Sequence, residues 1–328
     1  MDFFMKTLVT GGAGFIGSHL VENLVQAGHS IIVLDNLSTG RLENISHLRK
    51  NIKFIKCDIS KDKNIYKYFR DVDWVFHLAA LADLVPSIKK PIEYFDSNVK
   101  GTIAVLDASV RMNVKKFLYS ASSSCYGVPK KYPTSENAHI DPKHPYALSK
   151  RLGEELVLHW NKVYKLDVVS LRLFNVYGTR SRTSGTYGAM FGVFLKQKIK
   201  GYPYTIVGNG NQKRDFTYVT DVVEAMLKAI RIKTRENIFN VGSGKTVSVN
   251  YIVNLLGGNH IYIKKRPGEP DITFADISRI KKALKWKPLV TVENGVNLLK
   301  KNIDYWKKAP LWTSSKIKTA TKDWFKYL

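Results

Sequence analysis

Through the first half of the chain, short apolar runs alternate with longer stretches whose apolar positions recur every three or four residues. The short runs predict strands at 7–10, 30–34, 53–57, 74–78, 116–120 and 168–173, and the longer ones helices near 16–27, 65–69, 93–111 and 146–164. Strands and helices alternating at this length need right-handed crossovers between parallel strands. The expected fold is therefore α/β, with a doubly wound parallel sheet. Beyond about Tyr177 proline and glycine become frequent and strands shorten, with helices expected near 189–200, 219–232, 249–256, 278–284 and 291–307. This predicts a larger N-terminal domain over 1–178 with a return segment at about 215–242. A smaller α+β cap follows from 179–214 and 243–308, and then a tail, 309–328. The tail carries Trp312, Trp324, Phe325 and Leu328, and is expected to pack as an apolar strap on the body or on a partner subunit.

With 328 residues the chain buries enough interior to fold without disulfides. Its two cysteines, Cys57 and Cys125, form no Cys-x-x-Cys pair and join no cluster with zinc spacing. That usage fits a reducing compartment and predicts no metal. No apolar run approaches the roughly 20 residues of a membrane span, and the chain enters a glycine turn too early for a leader peptide. The expectation is a cytoplasmic protein that does not engage a membrane. A net charge of +25 would suit a polyanionic partner. The basic residues are dispersed, however, without a run of like charge or interleaved aromatics, so no nucleic-acid partner is expected. What survives is a positive field favouring capture of a nucleotide diphosphate.

Gly11-Gly12-Ala13-Gly14-Phe15-Ile16-Gly17 follows the first predicted strand and opens a helix. Glycines at 11, 14 and 17 permit a tight turn, close approach to a pyrophosphate and close helix packing, and the helix N-terminus faces the anion. Asp35 ends the next strand 18 positions after Gly17. Together these predict a Rossmann-type dinucleotide site. A carboxylate at 35 accepts the ribose hydroxyls of NAD and repels the 2′-phosphate of NADP, so NAD is the expected cofactor. Arg41 follows a loop and is expected to point elsewhere. Asp58 is placed to meet the adenine edge and to cap the segment after it.

Tyr146 and Lys150 lie four residues apart on one face of a helix. A cation about 4 Å from the phenol, at an effective dielectric near 20, is worth roughly 4 kcal/mol. That would bring a phenol from near 10 to near 7, which makes a general base for a carbinol proton. Upstream, Ser120-Ala121-Ser122-Ser123-Ser124-Cys125-Tyr126-Gly127 delivers hydroxyls to the carboxyl edge of the sheet, where open parallel sheets bind ligands.

With these pieces the chain resembles the extended short-chain dehydrogenase/reductases, and within them the UDP-glucose 4-epimerase-like nucleotide-sugar epimerases. The resemblance continues through His77-Leu78-Ala79-Ala80, the 98–102 segment, Phe174-Asn175-Val176-Tyr177-Gly178, Arg214-Asp215-Phe216 and Asn240-Val241-Gly242-Ser243-Gly244, and runs to about residue 308. It implies Tyr146 as base, Ser122 as proton relay and Lys150 on the nicotinamide ribose. Cofactor contacts implied are Gly11, Gly14, Phe15, Ile16, Gly17, Asp35, Asn36, Asp58, Ile59, Leu78, Ala79, Ala80, Asn98 and Ser120, together with Tyr146 and Lys150. Ser122, Ser123, Tyr146, Asn175, Arg214 and Arg266 are the implied contacts of a UDP-sugar. A homodimer through the helices near 93–111 and 146–164 is also implied.

Sibling reactions differ in what they require. Similar 4,6-dehydratases carry an Asp-Glu pair in the serine loop and similar decarboxylases keep a Glu, whereas this loop has no carboxyl group. Similar 3,5-epimerases place a cysteine where Ser124 stands; Cys125 is offset by one and reads as a small buried residue. Inversion at C4 of a UDP-sugar through a transient 4-keto intermediate is the expected activity. Thr273 falls near the position that gates larger sugars in similar epimerases, and its small side chain permits UDP-N-acetylglucosamine or a uronate as well as UDP-glucose. A cofactor-sensing protein that binds nucleic acid is the reading from another class. Such proteins have no use for the tyrosine and lysine kept here.

Overall fold

The computed structural model describes residues 4–181 and 189–328. Strand β1 (Lys6–Thr10) leads through α1 (Phe15–Gln26) to β2 (Ser30–Asp35), β3 (Ile52–Lys56) and β4 (Trp74–His77). Helices α2 (Leu84–Lys89), α3 (Pro91–Phe95) and α4 (Gly101–Arg111) precede β5 (Lys116–Ser122), α5 (Pro145–Tyr164) and β6 (Val168–Leu173). A seventh strand, Ile238–Val241, pairs with β6. Across the sheet the order is Ile238–Val241, β6, β5, β4, β1, β2, β3, and every pair is parallel. The chain begins mid-sheet, winds outward to β3 and resumes on the other side of β1. This is the expected doubly wound Rossmann-type sheet, and it opens a crevice between the carboxyl ends of β1 and β4.

Because successive strand residues face opposite sides, each strand feeds two cores. Val9, Val33, Phe76 and Leu171 join α1 and the helix Val219–Arg231 on one face. Leu8, Ile32, Val75 and Phe117 join Val105 and Leu106 of α4 and Val157 of α5 on the other. A third core lies beyond the crevice. There the helix Met190–Ile199 and the parallel pair Tyr204–Val207 and His260–Ile263 pack with the helix Val249–Leu256, Trp306, Ile317 and Trp324. The tail forms two short helices, Ser314–Ala320 and Lys322–Tyr327, against this core. Among the described residues no helix is long and apolar enough to cross a membrane.

Several expected elements differ in form. The helix expected near 93–111 is broken by a π-helical stretch, Asp96–Lys100, a feature that tends to sit near functional sites. The segment expected as a helix near 65–69 is a 3-10 turn, Ile65–Phe69. Asp58 caps no helix. Its carboxylate closes a turn instead, accepting from the N–H and Oγ of Ser60 at 3.0 and 2.7 Å. The helix expected over 291–307 ends at Lys301 and is followed by a 3-10 turn, Ile303–Trp306.

His77, at the end of β4, is 1% exposed and lies 2.7 Å from Thr10 Oγ1 and 2.9 Å from Thr102 Oγ1, tying β4 to β1 and α4. Burial pushes its imidazole down to about 3 and that of His144 down to about 4. Both rings stay neutral in the fold while the unfolded chain takes up protons below about pH 6.5. Stability should therefore fall as pH drops from 6.5 to 5, by up to about 1.4 kcal/mol per pH unit for each histidine. Thermal melts across that window test this, and His144→Asn should flatten the slope. A melting temperature indifferent to pH there would contradict it.

Candidate active site

The crevice is a cavity of about 620 Å³ running from the glycine turn across the strand ends to the third core. At one end the turn is shaped by two glycines. Gly11 adopts φ +72°, and a Cβ on Gly17 would lie 2.1 Å from the carbonyl oxygen of Gly11, so α1 can pack this closely only without a side chain there. No side chain caps α1 at Gly14, which leaves its first-turn N–H groups toward the cavity, an arrangement that suits a diphosphate. Asp35 is buried at the wall. Its two oxygens accept from the backbone N–H groups of Ala13 (3.0 Å) and Leu37 (2.8 Å), and burial pushes its carboxyl above the ordinary range. Phe15, Ile16, Asn36, Asp58, Ile59, Leu78, Ala79, Ala80 and Ser120 line the same cavity.

Two expectations at this end need correction. Asn98 is 1% exposed and does not line the cavity. Its amide is spent on the backbone N–H and C=O of Leu81 (2.8 and 3.0 Å) and on Ser149 Oγ (2.9 Å), so it fixes the loop after β4 against α5. Arg41 does not point away. It lines the cavity, with its guanidinium carbon 5.7 Å from the ring centre of Tyr305, whose hydroxyl donates to Asn44 Oδ1 at 3.0 Å. The 3-10 turn containing Tyr305 draws it there from a distant part of the chain.

At the middle of the cavity β5 ends in Ser122, which caps the following 3-10 turn, Ser123–Tyr126. Ser122 Oγ lies 2.8 Å from Ser124 Oγ, and Ser122 and Tyr146 line the same cavity. Tyr146 is placed by the start of α5. His144 caps that helix, its Nδ1 accepting from the N–H of Ala147 at 3.2 Å, and Pro145 takes the first helical position. The Tyr146 ring lies parallel to His144 (6.0 Å between centres, 7°) and edge-on to Tyr94 (6.4 Å, 82°). One turn on, Lys150 is 4% exposed, with Nζ 4.3 Å from the ring centre of Tyr119. Gly153 lets α5 approach β5, because a Cβ there would meet the Tyr119 hydroxyl at 2.2 Å.

The electrostatics depart from the expected phenol near 7. Burial pushes Tyr146 above its ordinary value, with Asp83 and Cys125 adding to it and the nearby Ser122 hydroxyl opposing. The group brought toward neutrality is Lys150, lowered to about 7 by burial against the pull of Glu154. Cys125 is buried, and its thiol is pushed up to about 12. That matches its reading as a small buried residue.

The far end holds the other predicted contacts. Asp215 is fully buried. Its carboxylate accepts from Ser243 N and Oγ (2.6 and 2.7 Å), Gly244 N (3.2 Å) and Ala275 N (3.0 Å), tying three loops together beside Arg214. Asn175 donates to Thr273 Oγ1 at 2.7 Å, and Arg266 pairs with Glu269 at 2.8 Å. Asn175, Arg214, Arg266, Thr273 and Ser123 all line the cavity. So do residues that the sequence did not point to, notably Asp83, His144, Arg180 and Trp324. Of these only His144 had a local signal, since it precedes a proline at a helix start.

Residues 7–242 match the NAD dependent epimerase/dehydratase family. Three solved structures are similar over nearly their whole length. The UDP-glucose 4-epimerase of Thermotoga maritima, solved with UDP-glucose, is 34% identical with a TM-score of 0.85, over 93% of this chain and 99% of its own. The UDP-N-acetylglucosamine 4-epimerase of Methanobrevibacter ruminantium, in complex with UDP-N-acetylmuramic acid, is 32% identical with a TM-score of 0.84, over 91% and 99%. The UDP-glucuronic acid 4-epimerase of Bacillus cereus, in complex with UDP-glucuronic acid and NAD, is 32% identical with a TM-score of 0.84, over 93% and 99%.

Proposed function

This chain belongs to the NAD-dependent epimerase/dehydratase family, and from that premise we propose that it inverts C4 of a UDP-sugar through a transient 4-keto intermediate. The observation that carries this reading is the gathering of Ser122, Tyr146 and buried Lys150 in one cavity with Arg214 and Arg266. The 122–126 turn offers hydroxyls and no carboxyl group, which favours alcohol oxidation over dehydration or decarboxylation.

The cavity suits NAD: an uncapped helix N-terminus for its diphosphate, the Asp35 carboxylate for its ribose, and Lys150 at the reacting end. Bound there, NAD+ supplies a hydride acceptor that can return the hydride to the other face of the sugar carbon. The residues do the rest. Tyr146 takes the 4-hydroxyl proton through Ser122 and gives it back after inversion. Arg214 and Arg266 hold the sugar's diphosphate by their forked donors while the keto sugar turns. Thr273 is small and bonded to Asn175, which leaves room for a substituent larger than a hydroxyl. UDP-glucose, UDP-N-acetylglucosamine and UDP-glucuronate are therefore the substrates to try.

Proton NMR in D2O, with each UDP-sugar in turn and no added NAD, tests the reading. The expected result is a new anomeric signal from the C4 epimer of one sugar, with no deuterium at carbon. Deuterium at C3, C5 or C6 would overturn it in favour of a dehydratase or a 3,5-epimerase. No turnover of any of the three would remove these sugars from the reading.

A further inference from the structure

The resemblance to known epimerases runs to about residue 308, yet the chain continues for another twenty residues. The Thermotoga and Bacillus enzymes are matched over 99% of their own length by only 93% of this chain. Those last residues do not trail into solvent. Ile317 and Trp324 are buried in the third core, and Lys89 of α2 pairs with Asp323 at 3.7 Å.

Trp324 is held where the cavity meets the start of α5. Its indole Nε1 donates to the carbonyl of Pro267 at 2.9 Å, next to Arg266 and Gly268, which also line the cavity. Its ring lies against His144, 5.5 Å between centres at 47°. His144 in turn lies flat against Tyr146. Trp324 itself lines the cavity. One indole thus bridges the loop that carries an arginine of the proposed diphosphate grip and the ring that flanks the proposed base.

We propose that the C-terminal helix is a built wall of the sugar end of the site, and that Trp324 sets which sugar substituents fit beside Tyr146. This rests on the proposed reaction with UDP-sugars. An aromatic of this volume, buried and hydrogen-bonded to a loop carbonyl, cannot swing aside without losing that bond. It therefore acts as a fixed limit on pocket size, whereas the small Thr273, farther along the loop that carries Pro267, leaves room. Fixed walls of this kind discriminate by substituent volume.

The test compares wild-type protein with Trp324→Phe and Trp324→Leu, the first guarding against loss of fold. Three quantities are read: affinity for UDP alone, affinity for each UDP-sugar, and kcat/KM for UDP-glucose, UDP-N-acetylglucosamine and UDP-glucuronate. The expected result is UDP affinity within about twofold of wild type. At the same time, the preference for a bulkier sugar over UDP-glucose should rise about tenfold or more in the leucine variant. An equal loss for every sugar, with UDP affinity kept, would overturn the proposal and make Trp324 a support for Tyr146. A parallel loss of UDP affinity would also overturn it and leave the tail a purely structural strap. If wild-type protein turns over none of the sugars, the reaction reading fails separately. The binding preferences among UDP-sugars then still decide the role of Trp324.

Discussion

Replacing Tyr146 by phenylalanine should lower the rate of sugar inversion by about 10²–10⁴-fold, the usual worth of a positioned acid–base group. The ring would stay between His144 and Tyr94, so packing and UDP-sugar binding should change little. What is lost is the hydroxyl proposed to take the proton. Initial rates with the substrate identified by NMR, set beside calorimetric UDP affinity and a thermal melt, separate chemistry from folding. A loss smaller than tenfold would mean that another group takes the proton. Asp83 would then be the first to examine, since it lines the same cavity and acts on the phenol.

The second large effect concerns stability. Arg172 and Glu154 form an ion pair at 2.8 Å with both side chains almost fully buried. Glu154 also accepts from Ser170 Oγ (2.8 Å) and pairs with Arg151 (2.7 Å), while Arg172 donates to the Tyr126 hydroxyl (2.8 Å) and the Glu136 carbonyl (3.0 Å). The pair draws the Glu154 carboxyl below its ordinary value despite burial. Arg172→Met strands that charge, and breaking a buried pair from one side costs about 3–5 kcal/mol. The melting temperature should drop by roughly 4–7 °C. Replacing both partners, Arg172→Met with Glu154→Met, should recover part of the loss, because the uncompensated charge goes with the second change. A single-variant loss below about 1 kcal/mol would show that Arg151 and Ser170 suffice to hold Glu154. The pair also bears on the site. Glu154 lies one turn beyond Lys150 on α5 and opposes the burial that lowers its ammonium, so the stranded variant should also disturb the reacting end.

Most of the sheet could be read from the chain because its determinants are local. A strand that must be buried on both faces needs a continuous apolar run, and the helix between two parallel strands needs one apolar stripe. The glycine turn and Asp35 were legible for the same reason: a tight turn, a helix start and an acid at a strand end are all set within about thirty residues of one another. The Tyr146/Lys150 spacing lies on a single helix. What the sequence did not convey depended on distant segments meeting. Asn98 reads as part of a cofactor motif, but the π-helical stretch turns it toward Leu81 and Ser149, where it braces a loop. Arg41 reads as a bystander until Tyr305 arrives from more than 250 residues away. Nor does helix spacing settle the charge state of the reacting pair. Burial is a tertiary property, and here it raises Tyr146 and lowers Lys150. Trp324 is the clearest case. Its apolar character marks it for packing somewhere, but only the folded chain brings it against His144 and the 266–268 loop. Local pattern determines which elements form and which residues bear the chemistry. Desolvation and long-range packing decide how those residues ionise, and what walls the space around them.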